Sequence, residues 1–479
     1  MSEMGDQKMQ KFDATKINRR SFLGGAALLG GFSPLALQMA ATTANAQANS
    51  YRALVCLYLD GGLDHYHTMI PCDQTNYAAI VGQRSGITMP PRSALTPLTT
   101  RTSQGGRQVA FHPILTQSKR LYDQGKLAVI YGHGNLDEPI TRADLEAGRV
   151  KLPSAVGSHI DSNAAIHTFG LEGARYGWGG LAMDSLQASN PDNLFASIGV
   201  GQLNNPFNDG RAVQMIKADT WGRATNISGL EGTLFGSSVA SAELDSILRR
   251  ADMTNALDKD YLGVNQRVMS SYRRLGDAFA ATQSLAPIPT DTTLPNYTVA
   301  WRDNDVVASL RTVLRCIASR ATLNVNRQVF FINMRNFDTH GNMAGDLEKN
   351  NFLRLDAALG YFYAALTAMG LENNVTLFTT SEFGRSLKSN GDGTDHGWGG
   401  VSFVLGGAVK GGDIYGNLVD INPAGPGFQS INGPPISIPT IANQQYCATL
   451  ASWLGVAEAN LPDIFPNLNR FASTKLGFL

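Results

Sequence analysis

Leu54-Val55-Cys56-Leu57-Tyr58-Leu59 is an unbroken apolar run that ends on Asp60-Gly61-Gly62-Leu63-Asp64. A run without polar alternation suits a strand covered on both faces, as in a parallel sheet. The turn after it leaves carboxylates at the strand's carboxyl end. The same arrangement recurs along the chain. Residues 127–131 stop at Gly132-His133-Gly134, residues 329–333 lead into Asn336-Phe337-Asp338-Thr339-His340, and residues 375–379 lead into Ser381-Glu382-Phe383-Gly384-Arg385. Between the runs, Val306, Leu310, Val313, Leu314 and Ile317 recur at helical spacing, as do Leu355, Leu359, Phe362, Leu366 and Met369, with Gly370 as a stop. A late helix around Tyr446, Leu450, Trp453 and Leu454 supplies a further packing face. Strands alternating with helices predict an α/β fold, a doubly wound sheet with helices on both faces.

Residues of about 200–300 are polar and turn-rich, with helical stretches at 244–250 and 268–279, and close on Pro287-Ile288-Pro289. They read as an inserted cap on the core. Segments 85–108 and 417–440, rich in Gly, Pro, Ser and Thr, read as long surface loops.

The first 46 residues read as an address. Arg19-Arg20-Ser21-Phe22-Leu23 precedes a weakly apolar, glycine-rich run to about Ala41 and then Ala44-Asn45-Ala46. Twin arginines, a short apolar stretch and a small-x-small cleavage site match a twin-arginine signal peptide. Gly24, Gly25, Gly30, Gly31 and Pro34 make that run a poor membrane span. The expectation is a chain handed to the twin-arginine translocase and released, with no stable membrane anchor after cleavage, into the periplasm or beyond. Disulfides would be permitted there, but Cys56, Cys72, Cys316 and Cys447 include no CxxC pair, and Cys56 and Cys316 lie in apolar segments as buried thiols do.

Of 479 residues, 39 are Lys or Arg and 39 are Asp or Glu, so the formal charge is zero. That balance and the lack of basic clusters disfavour a nucleic-acid partner. With 43% hydrophobic and 16% charged residues the chain is not a disordered polyelectrolyte.

In open α/β sheets, ligands bind beyond the carboxyl ends of the strands, where the loops converge. Asp60, Asp64, His65, Asp338, His340 and Glu382 all follow apolar runs, and Asp395-His396-Gly397 lies in a glycine-rich loop soon after. Taken singly, each has a plainer role: an Asp-stabilised turn, a Glu382–Arg385 contact, or a histidine lining a loop, such as His65 or His67. His112, before Pro113, reads as the start of a helix. Taken jointly, carboxylates and imidazoles without thiolates suit Zn²⁺ or Mn²⁺, with Mg²⁺ or Ca²⁺ if carboxylates dominate. Such a divalent metal polarises ester oxygens and activates water.

Leu59-Asp60-Gly61-Gly62-Leu63-Asp64, His112-Pro113, Ser158-His159, Asn336-Phe337-Asp338-Thr339-His340, Ser381-Glu382-Phe383-Gly384-Arg385, Gly393-Thr394-Asp395-His396-Gly397 and Phe465-Pro466-Asn467-Leu468 occur in that order. With the leader, this set resembles an uncharacterised bacterial family, the domain of unknown function numbered fifteen hundred and one, over nearly all of residues 47–479. That family is similar to the alkaline-phosphatase and sulfatase superfamily, which implies a three-layer sandwich, a mixed and mostly parallel sheet and a metal-bearing site acting on phosphate or sulfate esters.

Laid over this chain, the resemblance implies Asp60 or Asp64 as the first metal-binding acid. It implies Asp338, His340 and His396, beside Asp395, as one metal site, and Glu382 as a member of a second. Ser158 is the implied nucleophile, with His159 beside it and a helix N-terminus to stabilise an anion; equally, Ser158 reads as a helix cap. Arg385, or alternatively Arg142, would clamp the transferred group. The superfamily's Asp-His after a strand is Glu382-Phe383 here, which puts a two-metal site in question. Two functions follow as expectations. One is an exported metal-dependent hydrolase of an anionic small molecule or polymer. The other is a non-catalytic envelope or polymer-binding protein on the same fold.

Overall fold

A computed structural model describes residues 51–479 apart from 155, 202–205, 221, 225, 231, 251–253, 283–304 and 431–432. The leader, residues 1–46, and Pro287-Ile288-Pro289 lie outside the described residues.

The opening run forms β1 (Arg52–Leu59), at the centre of a nine-stranded sheet. The other strands are β2 (Leu127–Gly134), β3 (Ser197–Val200), β4 (Ile216–Ala218), β5 (Arg327–Met334), β6 (Val375–Thr380), β7 (Gly400–Leu405), β8 (Ile414–Tyr415) and β9 (Ile441–Ala442). Their order is β8-β2-β7-β6-β1-β5-β3-β4, with β9 also on β2. β1 pairs in parallel with β5 and β6, and β7 runs antiparallel to both β2 and β6. The remaining pairings, β3 with β4 and β5 and β2 with β8 and β9, are parallel. One reversed strand in an otherwise parallel sheet makes the expected mixed, mostly parallel architecture.

β1 shows why the run lacks alternation. Ala53, Val55, Leu57 and Leu59 pack into one core with α5 (Asp305–Ala318) and α6 (Phe352–Ala368). Leu54, Cys56 and Tyr58 pack into another with α3 (Trp178–Ser185) and α7 (Asn443–Leu454). Both faces are dry, so both sets of side chains must be apolar, and helix, sheet and helix form the three layers. All four cysteines are buried free thiols. Among the described residues no helix is long and apolar enough to cross a membrane.

The stretch of about 200–300 is divided. β4 joins the sheet edge, and α4 (Ala256–Thr282) sends Leu275, Ala278 and Phe279 into the first core. The helix Ser238–Leu248 instead packs with α4 in a small separate cluster of Leu248, Leu262 and Met269.

The reversed β7 matters for the site. Its start lies at the edge where β1, β5 and β6 end, so the loop before it, carrying Asp395 and His396, meets the loops after β1, β5 and β6. Gly61 allows the closest approach: with φ +121°, a Cβ there would lie 2.2 Å from the Asp338 backbone nitrogen.

Candidate metal centre

Three imidazoles converge on the Asp338 carboxylate. His159 Nε2 lies 3.5 Å from Asp338 Oδ2, and His340 Nε2 and His396 Nε2 lie 3.1 and 3.4 Å from Oδ1. His340 Nε2 and His396 Nε2 are 2.9 Å apart. Four donors around a tetrahedral zinc-like ion are separated by roughly 3.3 Å, given metal–ligand distances of about 2.0–2.1 Å. His159, His396 and Asp338 bring one ligand atom each within 4.8 Å of one another, close enough for one ion, and His340 stands beside them against His396 and Asp338.

What stands behind each ring decides its chemistry. His159 Nδ1 donates to Glu382 Oε1 at 2.8 Å and His396 Nδ1 donates to the Gly157 carbonyl at 2.6 Å. His340 Nδ1 is 3.4 Å from Asp395 Oδ1. With the proton on Nδ1, a neutral ring presents a bare lone pair at Nε2, the tautomer a metal requires. His159 Nε2 is buried and has no hydrogen-bond partner. An orphaned inward nitrogen beside a carboxylate is costly unless something binds it, so these residues fit a divalent cation.

The local sequence builds this directly. Ser158 caps α2 (His159–Thr168), its side chain accepting the Asp161 N–H, which places His159 on the first turn. Gly157, with φ +81°, lets its carbonyl and the His396 side chain meet closely.

Several expected ligands have other roles. Glu382 stands behind His159. Oε1 also accepts the Gly61 N–H at 2.9 Å, and Oε2 accepts the Tyr58 hydroxyl at 2.8 Å. Glu382 thus lies on the Nδ1 side of the His159 ring, away from the Nε2 that faces Asp338. Asp395 likewise backs His340. Asp64 is wholly buried against Arg84, at 2.6 and 3.2 Å, with the Thr394 hydroxyl at 3.2 Å, and caps the short helix α1 (His65–Thr68). Burial alone would raise its pKa, but the Arg84 guanidinium brings it down to about 2. It anchors the loop and does not join the cluster. Asp60 does face the same space, its Oδ2 accepting from Asn333 Nδ2 at 2.9 Å.

Arg385 does not line the cleft. It is fully buried and donates to the carbonyls of Gly61, Gly62, Phe337 and Thr394 and to Asp338 Oδ1, tying three loops together. Arg142 bonds Glu146 and the carbonyls of Pro423 and Gly425. Ser158 Oγ donates to Asp161 Oδ2 at 2.7 Å, so of its two readings the cap is the one these bonds support.

Electrostatics follow the geometry. The bond His159 donates to Glu382 raises the His159 pKa above its usual 6.5, outweighing partial burial. Burial lowers that of His396, with the Gly157 bond opposing it. Burial would raise Asp338, but Arg385 holds it below the usual carboxylate range. The cluster borders a cleft of about 1020 Å³ whose walls include Asp60, His159, Arg335, Asp338, Asn350 and Arg354.

Sequence reasoning missed one constellation. His67 Nε2 and His112 Nε2 each lie 3.1 Å from Glu348 Oε1. The only available signal was two histidines near apolar runs, and nothing linked them to Glu348.

A mixed sheet with a histidine-rich, carboxylate-bearing cluster at its carboxyl edge defines the class: an α/β protein with a candidate metal-ligand group where its strands end. The chain belongs to the family described as Protein of unknown function (DUF1501), whose model matches residues 51–425. No curated protein matches the sequence. Among solved structures, Ps i-CgsB in complex with k-i-k-neocarrahexaose is 9% identical, covering 89% of this chain and 77% of its own, with a TM-score of 0.33. The PsFucS1 sulfatase from Pseudoalteromonas sp. is 11% identical over 80% and 67%, TM-score 0.30. Alkaline phosphatase from the Antarctic bacterium TAB5 is 15% identical over 75% and 92%, TM-score 0.27. At these scores the likenesses assign no activity.

Proposed function

We propose that this protein is an exported, metal-dependent hydrolase of phosphate or sulfate esters, delivered by its twin-arginine leader. The observation that carries the reading is the convergence of His159, His396 and Asp338, with His340 beside them, at the wall of a large cleft. Zn²⁺ or Mn²⁺ suits that donor set. When bound, such an ion supplies Lewis-acid polarisation of an ester oxygen and acidifies water. The chain's own residues do the rest. Glu382, Gly157 and Asp395 hold the three rings in register, and Arg385 fixes the Asp338 carboxylate. Asp60, on the same cleft, is the carboxylate available to accept a proton. The cleft also carries Asp305 and Asp346, and Arg354 pairs with Asp305, so an anionic small molecule or polymer would depend on Arg335 and on the bound cation for its charge. Ser158, engaged with Asp161, is left out of the chemistry, so water is the attacking group.

The test is turnover of an aryl phosphate and an aryl sulfate by the chelator-stripped and the Zn- or Mn-reloaded protein, beside Asp338→Ala. Activity restored by metal in the wild type and absent in the variant supports the reading. Stoichiometric metal with no turnover of either ester would favour a non-catalytic polymer-binding protein instead.

A further inference from the structure

We infer that His67, His112 and Glu348 form a second cation site, separate from the centre around Asp338 and independent of the hydrolase reading. Three remote stretches build it. The strands Met69–Pro71 and Val109–Phe111 pair antiparallel with Met69 opposite Phe111, and the His112 N–H donates to the Thr68 carbonyl at 3.0 Å. That ribbon sets the two imidazoles side by side, their centroids 5.0 Å apart, with Phe352 against both rings. Glu348 arrives on a single π turn, Leu347–Asn351, inserted ahead of α6. π turns are costly to maintain and are frequent where a side chain must be re-aimed for function.

The donor geometry is that of a metal site. Both Nε2 atoms stand 3.1 Å from one carboxylate oxygen, close to the roughly 3.3 Å edge of a tetrahedral zinc shell, and two imidazoles with one carboxylate are a known zinc donor set. His67 is wholly buried, while the Glu348 side chain is 31% exposed and gives an ion its way in. Ligation through His112 Nε2 puts that ring's proton on Nδ1, at the expense of a marginal 3.4 Å contact from the Ile114 N–H. The fourth position falls to water on the exposed side. An ion here would fasten the π turn, whose Asn350 and Asn351 line the cleft and whose Asn351 Nδ2 donates to the Asn336 carbonyl at 2.6 Å. Its role is to brace that wall.

The experiment is a Zn²⁺ titration of the chelator-stripped full chain against a chromophoric chelator. The wild type should bind two equivalents, Glu348→Gln one, Asp338→Asn one, and the double variant none. In Asp338→Asn, Zn²⁺ should still raise Tm, and in the double variant it should not. Two equivalents retained by Glu348→Gln, or none bound by Asp338→Asn, would overturn the second site. One wild-type equivalent that survives Asp338→Asn but not Glu348→Gln would sustain it while sinking the hydrolase reading. Should Glu348→Gln not fold, an anomalous-scattering peak between His67 and His112 in Zn-soaked Asp338→Asn crystals decides, its absence refuting the site.

Discussion

Glu382→Gln separates an orienting carboxylate from a ligand. The substitution keeps size and an oxygen at Oε1, so the Gly61 N–H keeps its acceptor, but it removes the charge that holds the His159 Nδ1 proton at 2.8 Å. Removing carboxylates that orient a ligating histidine typically weakens metal affinity by about 10- to 100-fold, which is roughly 1.4–2.7 kcal/mol. Loss of a ligand such as Asp338 should abolish the site. A competition titration of Zn²⁺ in a Glu348→Gln background, which leaves only the centre around Asp338, reads this directly. A second consequence follows from the other bonds. Glu382→Ala would strand the Gly61 N–H and the Tyr58 hydroxyl, both buried, at about 1–3 kcal/mol each, so it should lower Tm well beyond Glu382→Gln. The placement of Glu382 behind His159 is refuted if Glu382→Gln leaves affinity unchanged or removes metal as completely as Asp338→Ala.

Other outcomes are equally specific. Ser158→Ala should cost about 1 kcal/mol through the lost cap and leave ester turnover intact; loss of turnover in a folded variant would restore Ser158 as nucleophile. Asp64→Asn should leave metal stoichiometry unchanged yet destabilise by about 3–5 kcal/mol, because buried Arg84 loses its partner, and urea unfolding checks this. The wild-type contribution of Asp64, with its pKa lowered from 3.8 to about 2, is about 2 kcal/mol; it is present above pH 3.8 and lost as pH falls through about 2. The raised pKa of His159 means an ion must displace its proton, so Zn²⁺ affinity should climb with pH and level off above 6.5. An affinity flat across about pH 6 to pH 8 would contradict that.

The sheet was legible where strands are long and dry on both faces. The runs at 54–59, 127–131, 329–333 and 375–379 lie inside β1, β2, β5 and β6, and the helical spacings lie in α5, α6 and α7. β3, β4, β8 and β9 have two to four residues each, too few for any periodicity. β7 is apolar but flanked by glycines, and its reversed direction is a property of the whole sheet. The site was legible as a list of candidates and not as a set of roles. Asp60, Asp64, Asp338 and Glu382 look alike in sequence, since each follows a strand. Arg84, twenty residues on, holds Asp64 away from the cluster, and three donors, His159, Gly61 and Tyr58, place Glu382 behind the His159 ring. Those partners are set by packing, as is the ribbon that joins His67 to His112.

The central claim is that one cation sits among His159, His396 and Asp338, with His340 beside them. Anomalous diffraction from Zn-loaded crystals tests it most directly. The account predicts a peak about 2.0–2.2 Å from the His159 and His396 Nε2 atoms and an Asp338 oxygen, with Glu382 outside the ligand shell. Zinc bound elsewhere while His159, His396 and Asp338 stay unliganded would contradict it.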